Sequence, residues 1–369
     1  QVESRAQMNM LPRLRPRCFY DIVIEIALVR PGPIQGDMVH PYLRRRSGRE
    51  SIEYPNEDVR HVLERTLGVP LFQEQAMALA MVAGGFTAEE ADELRRAMAA
   101  WKRRGSRMTH MVEKLVSGMQ VRGYEQEFID RCVRQVHGFS EYGFPESHAA
   151  SFALLVYASA WLRCHYPAAY AAAILNSQPM GFYAPAQIVR DAADHGVEVR
   201  GVDVNYSSWD ACLEDGSLRL GMRQVRRLRE EEARRIAWAV RKEGRFTTVT
   251  ALWRASGVRV RSLRHLARAD AFGSMGLSRQ QAIWSIARFR DAPCPLFDGC
   301  EQKDGERSRL PGVHAVDEVA RDYASVGLSL RGHPMEFVRG ELDASGVQRC
   351  EVFGDANRCA DGDEVSVAG

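Results

Sequence analysis

The sequence predicts a mainly α protein of more than one domain, and three observations predict it. Across the first half, apolar residues recur at helical spacing and no series of alternating runs interrupts them. Near residue 185 the pattern changes to short alternating runs, then to short helices joined by tight turns. The chain's 369 residues are enough for two or three hydrophobic cores.

Taken in order, Phe19 to Val29 (FYDIVIEIALV) reads as a helix that stops before Arg30-Pro-Gly-Pro33, where proline and glycine break the pattern. A polar, arginine-rich loop (Tyr42-Leu-Arg-Arg-Arg46) leads to a helix around Asp58 to Thr66. Val69-Pro-Leu-Phe-Gln-Glu-Gln75 runs into an amphipathic helix ending at Val82. Thr87-Ala-Glu-Glu90 fits a capping box, in which hydroxyl and carboxylate each accept a free N–H of a helix start, so Ala91 to Ala99 should be helical. Further helices are predicted at 106–122 and 125–136, then the longest from Ser147 to Pro167, and another through Leu175. Asp191 to Gly196 closes a helix, Val197 to Val204 alternates as a strand, and Trp209 to Leu213 and Ser217 to Gly221 suggest short strands. Gly221 to Phe289 reads as four or five short helices, 291–312 as a linker rich in Pro, Gly and charge, and a last helix starts near Asp317. No unit repeats three times, so a solenoid is excluded.

Composition is ordinary for a soluble chain, 45% hydrophobic and 27% charged. No apolar run nears the roughly 18 residues a bilayer requires, so no membrane partner is expected. Nor is there a charged-then-apolar opening, which points to the cytoplasm. The chain opens at Gln1 in patterned sequence and closes as a strand begins at 363–369, so both ends read as cuts through folded structure. Its eight cysteines form no CxxC pair; Cys294, Cys300 and His314 are a weak metal set, and reduced thiols are the preferred reading. Asp21 and Glu25, one turn apart, could pair on a metal, but solvated helix positions are favoured, so no metal ligand is assigned. The net charge of +2 hides an imbalance: Arg219 to Arg268 carries fifteen Lys/Arg against four acidic residues, a field that attracts polyanions.

Four motifs suit a triphosphate: Ala27-Leu-Val-Arg-Pro-Gly-Pro-Ile-Gln-Gly36, Leu71-Phe-Gln-Glu-Gln75, Ala91-Asp-Glu-Leu-Arg-Arg-Ala-Met98 with Trp101-Lys-Arg-Arg-Gly-Ser-Arg107 after it, and Tyr142-Gly-Phe-Pro-Glu-Ser-His148. Arginine offers a permanently charged planar fork for phosphate oxygens. Ser147 and His148 fall at a helix N-terminus, where free N–H groups and the dipole favour an anion. Arg95 and Arg96 sit about 100° apart on their helix, so one of them should face a ligand. Alone, Ser147 reads as an N-cap, His148 as a structural histidine and the arginine pair as a solvated face.

In order, IALVRPGPIQGDMV, LFQEQ, ADELRRAM and YGFPESHAASFALLVYASAWLRCHYPAAYAAAILN are similar to the fingers of C-family (polymerase III alpha-type) bacterial DNA polymerases. Gln1 to Arg5, Val202-Asp-Val-Asn205, Gly221 to Val225 and Gly327 to Pro334 extend the resemblance over nearly the whole chain. VRPGPIQGDMVHPYLRRRSGRE, FPESHAASFALL and ILNSQPMGFYAPAQIVRDA resemble the error-prone, damage-tolerant branch, and Glu146 stands where the replicative branch usually has Lys. Residues 219–290 resemble the tandem helix-hairpin-helix module that grips duplex DNA. They depart from it at Arg226-Arg-Leu-Arg229, where the first hairpin normally carries glycines.

The resemblance implies an end of palm at 1–18, fingers at 19–185 and a small α/β connector at 186–220. After these come the hairpin module at 221–290, a linker and helix at 291–350, and the truncated start of an OB-type β domain at 351–369. It implies a DNA-directed DNA polymerase, a nucleotidyltransferase of damage-induced translesion synthesis and repair. Arg95, Arg96, Ser147 and His148 would contact the incoming dNTP, and Arg30 would shape the base of the fingers. Lys102, Arg103, Arg104 and Arg107, with Arg223, Arg226, Arg227 and Arg229, would contact DNA. Implied partners are primer–template DNA, dNTP, a sliding clamp and other damage-response polymerase proteins. The palm's Asp-x-Asp and Lys-x-Asp-Phe-Leu-Gly-like motifs, which would hold Mg²⁺, do not occur here, so this stretch alone is expected to be inactive and no catalytic residue is assigned. Competing readings are a non-enzymatic duplex-DNA-binding protein, an accessory subunit of a polymerase assembly, and the replicative paralogue.

Overall fold

The computed structural model describes residues 2–30, 38–99, 105–141, 145–181, 183–290, 311–354, 362 and 364–368. It is mainly helical and falls into two compact units, Gln1–Trp161 and Leu162–Gly369.

The first unit is all helix. It contains α1 (Arg5–Leu14), α2 (Phe19–Leu28), α3 (Val39–Arg46), α4 (Glu57–Leu63), α5 (Gln73–Val82), α6 (Ala88–Ala99), α7 (Gly105–Val121), α8 (Gln126–Glu141) and most of α9 (Glu146–His165). Helix α2 is apolar nearly all round, and Val23, Ile24, Ile26, Ala27 and Leu28 are buried together, as such a helix requires. The capping box before α6 forms as predicted: Thr87 Oγ1 accepts from Glu90 N at 3.3 Å, and Glu90 Oε2 from Thr87 N at 3.0 Å. Gln75 explains the LFQEQ string as a staple. Its Oε1 accepts from Leu71 N (2.9 Å) and Phe72 N (3.3 Å), while Nε2 donates to Thr66 Oγ1 (2.9 Å) and Val62 O (3.1 Å). At Gly118 helix α7 passes so close to Gly84 that an added Cβ would lie 2.0 Å from the Gly84 carbonyl oxygen, so only glycine fits.

The expected polar loop at 42–46 is instead the end of α3. Tyr42 is buried, and the three arginines sit where positive charge favours a helix C-terminus. Arg44 and Arg45 meet Glu50 at 2.7 and 2.8 Å; Arg46 meets Asp21 in a two-pronged pair, both contacts 2.8 Å.

The second unit begins within α9, ahead of the boundary expected near residue 185. Helices α10 (Pro167–Asn176) and α11 (Pro185–Asp194) share its core through Ala171, Ala172, Leu175, Val189 and Ala192. The reason is a small sheet, β1 (Val199–Arg200), β2 (Cys212–Glu214) and β3 (Ser217–Arg219), on which α10 packs. Its order is β1-β3-β2, with β1 parallel to β3 (Val199 beside Leu218) and β2 antiparallel to it (Leu213 beside Leu218). Asn176, last residue of α10, clamps Ala211 by donating to its carbonyl and accepting from its N–H, both at 2.8 Å.

The strand expected over Val197 to Val204 is only two residues long. Val202 to Asn205 is drawn elsewhere: Asn205 Nδ2 donates to Phe246 O (2.9 Å) and Ser274 Oγ (2.8 Å), and Asp203 accepts from Ser274 N (3.0 Å) and Oγ (2.7 Å). Those partners lie in the hairpin module, formed by α12 (Glu230–Glu243), α13 (Val249–Ser256), α14 (Val260–Arg268) and α15 (Arg279–Ala287). Helix α16 (Ala315–Ser325) and the Gly327 to Pro334 motif close over it. Asp322 accepts from Arg279, from Arg331 (2.8 and 2.9 Å) and from Ser329 (2.7 Å).

Past α17 (Arg339–Ala344), the stretch expected to open a strand at 351 is a 3₁₀ helix, Cys350–Gly354. Among the described residues here, Val367 makes a lone parallel bridge to Gln348, which is not enough to sustain a sheet. Among the described residues no helix is long and apolar enough to cross a membrane.

Candidate nucleic-acid interface

Within the first unit, α6 buries Ala91, Leu94 and Met98, which turns Arg95 and Arg96 outward. Both are exposed, and Asp92, three and four residues before them, gathers both. Arg95 reaches Asp92 Oδ1 through Nη2 (2.7 Å) and Nε (2.9 Å); Arg96 reaches Oδ2 through Nε (2.7 Å) and Nη2. The hydrogen bonds from Arg96 and then Arg95 hold the Asp92 carboxyl below the usual carboxylate range.

Ser147 and His148 are exposed in the first turn of α9, and the His148 ring lies 4.6 Å from that of Phe152. The anion position at this helix start already has an occupant: Glu74 Oε2 accepts from Glu146 N at 3.0 Å. Glu146 itself accepts from Tyr20 Oη at 2.7 Å and lies 3.8 Å from Arg65. Burial, and then the Glu146 carboxylate, push the Tyr20 phenol far above its ordinary value. Sequence reasoning saw in Glu146 only the place of a missing lysine; its anchoring role was not legible there. Arg30 donates to Ile26 O (3.3 Å) and, with Ser4, Gln7, Ile26, Val29 and Phe152, lines a cavity of about 230 Å³ that excludes Arg95 and Arg96. Lys102, Arg103, Arg104 and the Arg107 side chain lie outside the described residues, as do Cys294 and Cys300.

The solvated reading of Asp21 and Glu25 is corrected. Both are buried, as is nearly all of α2 from Val23 to Leu28. Burial opposes ionisation of Asp21, but Arg46 and the Arg17 N–H outweigh it and hold the carboxyl below its ordinary value. Glu25 has no hydrogen-bond partner on either oxygen, and burial alone raises it to about 7. No cluster of three or more metal-ligating side chains occurs among the described residues.

Of the four arginines assigned to the hairpin module of the second unit, Arg223 is engaged inside the fold, donating to Asn176 O and Asp210 Oδ1 (2.9 Å). Arg226, Arg227 and Arg229 are exposed. Arg227, where glycine was expected, adopts the left-handed conformation anyway, with φ +66°. The hairpin therefore keeps its glycine-type backbone and carries an arginine at a conformational cost of about 1 kcal/mol.

Arg226 and Arg227 open onto a cavity of about 790 Å³ whose other walls bring Arg268, Arg279, Arg321 and Trp284. None of these four was singled out from the sequence. The basic count stopped at Arg268, and the long linker hides that α16 returns to the module. His265 also lines this cavity. Burial, then Arg261, Arg268 and Arg227, depress its imidazole pKa, which reports the positive field there.

Comparison with known proteins matches both units. The description "Bacterial DNA polymerase III alpha subunit finger domain" fits residues 1–123, and "Helix-hairpin-helix motif" fits residues 196–282. The first match takes in residues 1–18, which were expected to end a palm. Along its whole length the chain is 50% identical to an error-prone DNA polymerase of Mesorhizobium japonicum and 51% identical to error-prone DNA polymerase 1 of Agrobacterium fabrum, covering 35% of each. Over 95% of its length it is 53% identical to error-prone DNA polymerase 2 of Rhizobium meliloti, covering 33% of that protein. From end to end the chain is similar to one part of these error-prone DNA polymerases. It spans about a third of the length of these curated relatives. Of those relatives' length the chain matches the part that carries the finger domain and the helix-hairpin-helix motif.

Proposed function

We propose that this chain supplies the nucleotide-binding fingers and the duplex-DNA grip of a DNA-directed DNA polymerase that copies damaged templates. The observation that carries the reading is end-to-end similarity, with the fingers match and the hairpin match in the family's order. In the fingers, Arg95, Arg96, Ser147 and His148 bind the triphosphate of a dNTP, and Arg30 shapes the base of the fingers. Two carboxylates support this assignment by standing where phosphates would: Asp92 on the arginine pair and Glu74 at the start of α9. An incoming triphosphate exchanges with them, so binding is a swap of anions and not the filling of an empty basic site.

The exposed hairpin arginines Arg226, Arg227 and Arg229 hold duplex phosphates, with Lys102, Arg103, Arg104 and Arg107 on the fingers side. Phosphoryl transfer would draw on divalent cations, Mg²⁺ by preference, to activate the primer hydroxyl and neutralise the developing charge. The described residues do not fit such ions, and no step is assigned to them. A sliding clamp and other damage-response polymerase proteins complete the proposed partners; the setting is the bacterial cytoplasm.

The purified chain should bind primer–template and, with it, dNTP, yet extend no primer. Arg95→Ala with Arg96→Ala should abolish the nucleotide response and leave duplex binding. Primer extension that survives substitution of Arg95, Arg96 and His148 would sink the assignment.

A further inference from the structure

The 790 Å³ cavity of the second unit is larger and more specific than duplex grip needs. Holding duplex phosphates takes a convex hairpin and surface cations; it does not take a deep recess with an exposed indole. Four observations converge on the recess. Its lining contains five arginines and no acidic residue among the described residues. Arg227 and Arg268 have no ion-pair partner among the described residues, whereas Arg279 is almost wholly buried. Asp322 accepts from Nη2 of Arg279 and the Glu318 carboxylate lies 3.1 Å from its Nε, but neither Nε nor Nη1 has a hydrogen-bond partner. A buried guanidinium donor left without an acceptor is costly, so an oxygen from a ligand is its natural complement. Third, the left-handed backbone at Arg227 maintains strain at the cavity rim, a feature that gathers at ligand sites. Fourth, Trp284 is 65% exposed on α15 beside Ile283, giving a flat apolar surface at the same recess.

We propose that this cavity holds a nucleotide whose base is unpaired, its phosphate among Arg227, Arg268 and Arg279 and its base against Trp284. Bases within a duplex are stacked on their neighbours and cannot lie on an indole, whereas an unpaired base can, whatever its identity. The volume falls within the range of about 300–1,000 Å³ typical of pockets for small ligands. The nucleotide comes from a displaced or overhanging strand, or it is free; the chemistry of the site is the same. This inference does not rest on the polymerase reading. Failure of nucleotide binding by Arg95 and Arg96 leaves it standing, and its own failure leaves the fingers assignment intact.

The test uses the whole 369-residue chain with three probes: a short single strand carrying 2-aminopurine, the 2-aminopurine deoxynucleoside 5′-monophosphate, and a blunt duplex. The single strand should bind with quenched 2-aminopurine fluorescence. Trp284→Ala should abolish the quench and weaken single-strand binding about 5- to 150-fold, the range of base–aromatic stacking, while leaving the blunt duplex unaffected. Arg227→Gly, which suits the left-handed backbone, should fold as well as the parent and still bind the strand more weakly, with a salt slope shallower by about 0.7. Quenching of the monophosphate as tight as that of the strand identifies free nucleotide as the source; its absence identifies a strand. Unchanged quenching in Trp284→Ala, equal loss of duplex and single-strand binding in that variant, or equal competition by oligo-glutamate in parent and Trp284→Ala would overturn the proposal.

Discussion

Both units are rich in arginine, and they treat it in opposite ways. In the fingers unit each arginine singled out for phosphate binding on α6 already holds a carboxylate of its own chain, Asp92. Around the cavity of the second unit, carboxylates pair with Arg279 and Arg321, while Arg227 and Arg268 line the recess without an ion-pair partner among the described residues. Charge counted along a sequence is therefore a poor guide to charge available to a ligand. What decides it is where the acidic residues fall: Asp92 is one helical turn before its arginines, whereas Asp322 reaches Arg279 and Arg331 from another element.

The largest expected effect sets a buried pair against an exposed one. Asp322→Ala would leave Arg279 buried with half its partners gone, and removal of one member of such a pair costs about 3–5 kcal/mol. Asp92→Ala removes an exposed pair and should leave stability nearly unchanged. Calorimetric melting of the two variants under one buffer checks this. Equal losses would break the contrast between the units.

A second comparison lies inside the first unit, between two carboxylates on α2. Arg46 keeps Asp21 ionised, so its contribution to stability is present above its ordinary pKa and fades as the pH falls through its depressed value. Glu25 works in the other direction. Its folded-state value of about 7 lies above the ordinary 4.5, so the folded chain binds this proton more tightly than the unfolded chain does. Stability is then lost as the pH climbs from about 4.5 to about 7 and levels off beyond, by about 3 kcal/mol in all. Hydrogen exchange of α2 should quicken over that window, and Glu25→Gln should flatten the dependence. A parent profile that is flat between about pH 5 and 8 would refute it.

A smaller effect tests the element that the sequence announced most clearly. Thr87→Ala removes the hydroxyl that caps α6 and should cost about 1 kcal/mol, seen as faster amide exchange at the start of that helix.

That cap was legible because both partners sit within four residues. Order and type of most helices were legible for the same local reason, as were the fingers motifs and the hairpin module. What failed was non-local. Arg44, Arg45 and Arg46 read as a loop until Glu50 and Asp21 give each a partner and Tyr42 is buried beneath them. Glu25 read as solvated because spacing alone does not say that its side of α2 is covered. The strand at Val197 to Val204 shortened because Asp203 and Asn205 serve residues 246 and 274, far along the chain. Trp284 and Arg279 carried no signal at all, since their importance depends on α16 returning across a linker.

The smallest effect on stability carries the most information about mechanism. If Asp92 holds the place of a phosphate, Asp92→Asn should convert the fingers arginines to the state of those at the second unit's cavity, charged and without a strong partner. Stability should hardly move, because an exposed pair contributes little. Anion affinity should rise, since a ligand no longer displaces a carboxylate. Each additional phosphate held by an arginine should also steepen the salt dependence of single-strand binding by about 0.7. Measuring the affinity for inorganic triphosphate at several salt concentrations, in parent and variant, separates the two possibilities. A tighter, steeper response would mean that Asp92 restrains the arginines until a nucleotide arrives. An unchanged one would mean that the pair serves only helix α6, and the phosphate assignment of Arg95 and Arg96 would lose its physical support.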